Sequence, residues 1–207
     1  MKLSTKSGRD GKVHIYIDDE YKLTVDGDYW YTSSWYLKKQ IDEDELEELT
    51  VEITKRRAFN NAVSLAMTRL HSKGELFQKL SKKYTKEAAE YAAEKCEEIG
   101  VINDTDFAYM YADELRGRKH FGVSRIKQEL RRKGISSDII EQVIDETEID
   151  NAEQIKELIE RKYYRSLSDE KGRRRTIATL TRLGYSYYDI RRALEEFDIS
   201  CDEAEEV

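Results

Sequence analysis

The sequence predicts a mainly α-helical protein, in which three tandem three-helix repeats form an elongated, curved array after a small N-terminal β-hairpin region. Three observations support this prediction. The 207 residues include no proline and are 39% hydrophobic and 38% charged, a composition typical of a helix-rich protein with a packed core. Apolar residues alternate with period two only near the start and recur with a helical period from about residue 52 onward. Three later segments also align at a spacing of fifty residues.

The first predicted region comprises residues 1–52. In VHIYIDDEYKLTV, apolar residues alternate with polar ones on both sides of an acidic turn at 18–20, which predicts two short strands. The segment DEDELEELTVEI (42–53) predicts a short helix whose acidic residues lie at its N-terminal end, where the helix dipole favours them. Four aromatic residues lie between these elements, and we expect them to pack in the core under the hairpin: Trp30, Tyr31, Trp35 and Tyr36.

The repeated segments are 78–96, 128–146 and 178–196, and they place Leu80, Leu130 and Leu180 in register. A third helix is predicted upstream of each, within AFNNAVSLAMTRLHS, DFAYMYADELRGR and NAEQIKELIERKYYR. Each unit is too small to bury its apolar face alone, so the units are expected to stack. The predicted repeats span 53–103, 104–150 and 151–200, and an acidic tail follows at 201–207.

Each repeated segment predicts two helices joined by a tight turn. Gly134 and Gly184 suit the left-handed residue that ends a helix, and Ser136 and Ser186 suit the cap of the next helix. The first segment has one residue fewer at this point and no glycine, so its turn is predicted to differ.

The formal net charge is −7, but the charges are grouped along the chain. Residues 116–133 contain eight Lys or Arg and one Glu, and residues 161–192 contain ten Lys or Arg and three acidic residues. Acidic residues dominate 42–52, 138–160 and 195–206. Blocks of this size shape the local electrostatic field even though the total charge is negative.

No catalytic, metal or cofactor site is predicted. His14, His71 and His120 are isolated and are expected in surface or turn positions, and no phosphate-loop, serine-hydrolase or dinucleotide motif occurs. Cys96 and Cys201 lie far apart and are expected to be reduced thiols. With no apolar run of membrane-spanning length and no signal-peptide pattern at the start, we expect a cytoplasmic protein.

Two motifs resemble those of the RecX family, bacterial regulatory proteins that act on the recombinase RecA. The motif G-x-I-x-D-x-x-F-A is present as Gly100, Ile102, Asp104, Phe107 and Ala108. The motif G-x-x-x-I-x-x-E-L-x-x-K-G-I is present as Gly122, Ile126, Glu129, Leu130, Lys133, Gly134 and Ile135. The resemblance covers nearly the whole chain, including an N-terminal hairpin segment that many Gram-positive members carry.

Resemblance to this family implies three tandem three-helix units and a non-catalytic regulator. It also implies binding to RecA, chiefly along the groove of its filament on single-stranded DNA, with inhibition of strand exchange, ATP hydrolysis and repressor self-cleavage in the SOS response. Binding to free RecA monomers is left open. We expect the regulator to be a monomer. The residues leave open an alternative, a helical module that binds single- or double-stranded DNA directly. A base-reading role is disfavoured because every charged residue in the second helix of the middle pair, IIEQVIDETE, is acidic and would be repelled by phosphates.

The candidate partner-binding residues are the cations of the two basic blocks, which would meet either RecA carboxylates or DNA phosphates. In the second repeat they are Arg116, Arg118, Lys119, Arg125, Lys127, Arg131, Arg132 and Lys133, and in the third repeat Arg173, Arg174, Arg175 and Arg182. Five tyrosines of the third repeat are interpreted mainly as core or turn residues rather than as platforms for bases: Tyr163, Tyr164, Tyr185, Tyr187 and Tyr188.

Overall fold

A computed structural model describes residues 1–147 and 150–197 of the chain. The predicted acidic tail and Cys201 lie outside the described residues. The backbone forms two compact units. One contains residues 1–65 and 77–98, and the other contains residues 66–76 and the described chain from residue 99 onward.

The N-terminal sheet has three antiparallel strands in the order β1 (Leu3–Ser7), β2 (Lys12–Ile17) and β3 (Glu20–Asp26). The predicted hairpin of β2 and β3 is confirmed, and its turn residues Asp18 and Asp19 both have positive φ, as a two-residue hairpin turn requires. The first strand is a correction to the predicted pair. Only Leu3 of its five residues is buried, so it lacks the alternating pattern that predicts a strand.

A short helix α1 (Gly27–Thr32) and a 3-10 turn at 34–37 follow the sheet. Trp30 and Trp35 are buried against the inner face of the sheet, and the indole N–H of Trp35 donates to Glu52 at 2.8 Å. The prediction that all four aromatic residues enter the core is wrong for Tyr31 and Tyr36, which are about half exposed. Their rings instead pack edge to face on each other, 5.2 Å apart.

The acidic segment begins a single 24-residue helix, α2 (Glu43–Ala66). It is therefore not the short separate helix that was predicted, and the expected boundary at residue 52 falls inside it. Asp42 and Glu45 form a reciprocal capping box at its start, with backbone-to-carboxylate distances of 2.8 and 3.1 Å. No proline or glycine interrupts the following residues, and a buried stripe continues along the helix through Leu49, Ile53, Ala58 and Ala62.

The remaining helices follow the predicted repeat. They are α3 (Lys73–Leu80) and α4 (Lys86–Glu98), then α5 (Asp104–Lys119), α6 (Val123–Arg132) and α7 (Ser137–Glu146), then α8 (Asn151–Leu158), α9 (Glu170–Arg182) and α10 (Tyr187–Glu195). One turn of π-helix (159–163) and a 3-10 turn (164–168) connect α8 to α9. Leu80, Leu130 and Leu180 are all fully buried, as their common register predicts.

The predicted turn chemistry is confirmed in the second and third repeats. Gly134 (φ 82°) and Gly184 (φ 95°) are left-handed, and the N–H groups that follow them bond back to Leu130 and Leu180 at 3.2 Å. Ser136 and Ser186 cap α7 and α10. The first repeat differs as expected. Its turn contains no positive φ among the described residues 80–85, and the Thr85 hydroxyl accepts from the Ala88 N–H.

Gly184→Ala should lower the free energy of unfolding by at least about 2 kcal/mol, because it strains a left-handed residue and overpacks a close contact. Its Cβ would lie 2.4 Å from the backbone nitrogen of Arg125. Gly117→Ala is the matched control, since Gly117 is helical and its Cβ would meet no neighbouring atom. Gly117→Ala should raise the free energy of unfolding by about 0.5 to 1 kcal/mol. Urea unfolding measures the free energy of unfolding of both variants. Equal stability of the two would contradict the left-handed conformation and the close contact assigned to Gly184.

Candidate partner-binding surface

The two repeats that carry the candidate cations meet end to end through their middle helices. The N–H of Gly122, at the start of α6, donates to the carbonyl of Leu183, at the end of α9, at 2.9 Å. A Cβ on Gly122 would lie 2.6 Å from the carbonyl oxygen of Gly184, so only glycine allows this approach. The hydroxyl of Tyr185 donates to the His120 carbonyl at 3.0 Å in the same region. The contact therefore fixes α6 relative to α9.

An equivalent contact occurs fifty residues earlier. The hydroxyl of Ser72, just before α3, donates to the carbonyl of Lys133, at the end of α6, at 2.6 Å. Ser72 and Gly122 are separated by fifty residues, as are Lys133 and Leu183. We call these two contacts the repeat joints. The glycines at 74 and 122 are the signal for these joints in the sequence, because each stands where another backbone approaches closely.

On α6, a buried carboxylate holds two of the candidate arginines. Glu129 is only 7% exposed, and its oxygens accept from Arg125 at 2.9 Å and from Arg132 at 3.0 Å. Arg125 also donates to Gln128 at 2.9 Å and lies over the ring of Phe121. A buried carboxylate without a cationic partner would be strongly unfavourable, so these arginines stabilise the fold.

Lys133 also has an internal role. Its ammonium group pairs with Glu75 and lies 5.1 Å from the centre of the Tyr111 ring. Arg69 donates to the same carboxylate at 3.0 Å. Burial opposes ionisation of Glu75, but the hydrogen bonds and charges of Arg69 and Lys133 outweigh it and hold the pKa of Glu75 at about 2.

Lys127 and Arg131 are the α6 cations with no acidic partner among the described residues. Arg131 is exposed and Lys127 is half-buried. Near the end of α5, Arg116 pairs with Asp113 at 2.8 Å and Arg118 with Glu114 at 3.2 Å. These two pairs are between residues of one helix and are open to solvent, so water and salt screen them.

Lys119 is exposed at the end of α5 and has no ion pair within the described chain. In the third repeat Arg174 pairs with Glu170, whereas Arg182 donates to the Thr179 hydroxyl at 3.2 Å. Arg175 is exposed, and Arg173 has a buried Nε with no hydrogen-bond partner in the described structure. The structure thus separates cations held by nearby acids from cations that have no ion pair among the described residues.

The tyrosines of the third repeat differ in their exposure to solvent. Tyr185 is buried, as predicted, but Tyr164 is 65% exposed and Tyr188 is 72% exposed. Tyr187 is 40% exposed. Tyr164 lies in the 3-10 turn, and Tyr187 and Tyr188 follow the serine cap of α10. These three are therefore turn or helix-start residues rather than core residues, and the prediction of core or turn positions includes them. Adjacent tyrosines beside a serine cap do not reveal, from sequence alone, which ring faces inward.

The histidines are separated in the structure. His14 bonds to the Thr24 hydroxyl on the sheet, and His120 ends α5 in a left-handed conformation. Burial and the nearby cations Lys162 and Arg161 lower the pKa of His120. His71 lies in a connection, as expected, but it is 1% exposed and bonds to the Arg69 carbonyl at 2.9 Å. The described residues contain no cluster of three or more potential metal ligands, and none of their helices is long and apolar enough to cross a membrane.

These features define a class of protein: a helical repeat protein with exposed cations on consecutive repeats. Family models described as RecX, second three-helix domain, and RecX, third three-helix domain, match residues 103–144 and 148–194. Regulatory protein RecX of Haemophilus influenzae is 39% identical over 108 residues, which cover 51% of this chain and 70% of the relative. Regulatory protein RecX of Bacillus velezensis is 28% identical over 212 residues, covering 100% of this chain and 80% of the relative.

Two solved structures share the fold. A crystal structure of regulatory protein RecX has a TM-score of 0.71 at 20% identity and covers 94% of this chain and 98% of its own. RecX from Lactobacillus salivarius has a TM-score of 0.61 at 23% identity and covers 70% of this chain and 97% of its own. The chain belongs to the RecX family of regulatory proteins, which confirms the resemblance seen in its motifs.

Glu75→Gln should destabilise the protein at neutral pH by about 1 to 2 kcal/mol, allowing for solvent near Arg69. Because the folded pKa of Glu75 is lowered to about 2 from 4.5, the contribution of its charge is complete above about pH 4.5 and is lost as the pH falls toward 2. The stability difference between wild type and variant should therefore shrink over this range. Urea unfolding from pH 7 to 2 measures it.

The control for that experiment is Glu114→Gln, which removes an exposed carboxylate from the same unit. Its effect should stay below about 0.5 kcal/mol at every pH. A stability difference for Glu75→Gln that does not change with pH would contradict the ion-pair assignment.

Proposed function

We propose that this protein binds RecA, both free and as a filament on single-stranded DNA, and inhibits strand exchange, ATP hydrolysis and repressor self-cleavage. We propose further that it acts as a monomer in the cytoplasm, without catalysis of its own. Membership in the RecX family supports a regulatory role. The observation that carries the proposal is the exposed Arg131, which lacks an acidic partner in the described chain and lies on the middle helix of the second repeat.

Tandem repeats suit a filament because a filament presents the same surface many times. In this proposal the second and third repeats contact neighbouring RecA subunits, so that modest contacts add up through multivalency. The exposed acidic residues of α7, among them Asp138, Glu141 and Asp145, repel bare duplex DNA and favour the protein surface.

Arg131→Glu should raise the concentration needed for half-inhibition of the DNA-dependent ATPase of RecA by at least about tenfold, because a like charge then faces the acidic partner surface. Co-sedimentation with RecA filaments should weaken in parallel. Lys95→Glu is the matched control, since Lys95 is a half-exposed helical cation outside the candidate surface and pairs with Glu98 at 2.8 Å. Inhibition by Arg131→Glu at the wild-type concentration, with intact folding, would remove Arg131 from the mechanism.

The alternative is a helical module that binds DNA directly. The exposed rings of Tyr164 and Tyr188 favour it, because aromatic faces stack on unpaired bases. Sedimentation with single-stranded DNA in the absence of RecA distinguishes the two functions. Binding that is much tighter with RecA than without it supports the regulator, whereas equally tight binding to RecA-free DNA supports the alternative.

A further inference from the structure

The third repeat contains a polar cleft in which cations converge without acidic partners. It has a volume of about 400 Å³ and lies between the 3-10 turn at 164–168 and the first turns of α9. Arg165, Lys171 and Arg175 line it, and none of them has an ion pair with another described residue. Tyr163 and Ser166 also line the cleft.

The one acidic residue of the cleft is already engaged. Asp169 caps α9, and its Oδ1 accepts from the N–H of Gly172 at 2.6 Å. This hydrogen bond holds the carboxylate at the backbone of α9. Three cations therefore face one occupied carboxylate, and the cleft carries a net positive charge.

The second repeat provides an internal comparison. Arg125 and Arg132 share the buried carboxylate of Glu129. Fifty residues later, Arg175 and Arg182 flank Thr179 instead. The third repeat thus keeps both arginines and loses the acid that neutralises them, which leaves Arg175 available to an external anion.

We infer that this cleft binds a phosphate group, and that the phosphate belongs to the backbone of a single nucleic acid strand. Arg, Lys, Ser and Tyr are donors that proteins use for phosphate oxygens, and a guanidinium group can donate two parallel hydrogen bonds. A single strand is favoured over a duplex because Tyr164, the residue after Tyr163, is 65% exposed and can stack on an unpaired base. The inference deepens the proposed function and rests on it in one respect. The strand that the third repeat meets is the single-stranded DNA of the RecA filament.

The test uses the full chain without RecA, so that its result is independent of the RecA experiment. Binding to a fluorescein-labelled oligo-dT strand is measured by anisotropy between about 50 and 200 mM salt. Arg175→Gln should raise the Kd about tenfold because one charge-assisted hydrogen bond is lost. It should also lower the magnitude of the slope of log K against log salt concentration by about 0.7. Arg191→Gln removes the same charge from α10, where Arg191 pairs with Glu195 at 3.0 Å, and should bind like wild type.

Thr179→Glu gives a second variant that removes no cation. It restores in the third repeat the carboxylate of the second, so it should pair with Arg175 and raise the Kd by a similar factor. Because Glu129 is accommodated at the equivalent position, the variant is expected to fold, as circular dichroism would verify. If it does not fold, Arg175→Gln alone decides the question.

Several outcomes would overturn the inference. Wild-type affinity and salt slope in both variants would exclude the cleft as a phosphate site. Binding of inorganic phosphate that is weakened by Arg175→Gln, without binding of oligo-dT, would exclude the nucleic acid source. Binding of polyglutamate that is sensitive to Arg175→Gln, without binding of oligo-dT, would assign the cleft to an acidic protein.

Discussion

The arrangement of the second and third repeats depends on the backbone hydrogen bond from Gly122 to Leu183. It joins the N-terminal end of α6 to the C-terminal end of α9, so that helix dipoles of opposite sign meet. It also satisfies a donor and an acceptor that have no partner inside their own helices. Ser72 and Lys133 make the corresponding joint one repeat earlier with a hydroxyl donor. Each middle helix that carries candidate cations is therefore fixed at one end by its neighbour.

The parts of the fold that the sequence predicts are those that local chemistry determines. The register of Leu130 and Leu180 follows from helical periodicity, and the turns follow from a left-handed glycine and a serine cap. The parts that it misses depend on contacts between distant residues or on weak signals. Strand β1 is an edge strand with one buried residue, and the repeat joints need a carbonyl some sixty residues away.

In the candidate site, too, the sequence predicts what is local and misses what depends on distant contacts. Charge along the sequence identifies cations but not their partners, because ion pairing depends on three-dimensional proximity. Lys133 belongs to a basic run in the sequence, yet Glu75 binds it from another repeat. Arg132 is next to Arg131 and has the same formal charge, but only Arg132 reaches the buried Glu129. The structure thus distinguishes cations that neutralise an internal carboxylate from cations, such as Arg131, that have no acidic partner among the described residues.

A repeat fold permits this difference because core and surface positions change independently. Leu130 and Leu180 must both be buried for the helices to pack, whereas Glu129 and Thr179 occupy equivalent positions with different chemistry. With glutamate, the flanking arginines are neutralised within the helix. With threonine, neither Arg175 nor Arg182 has an ion pair among the described residues. The residue beside the buried leucine therefore determines whether the flanking arginines are paired within the helix.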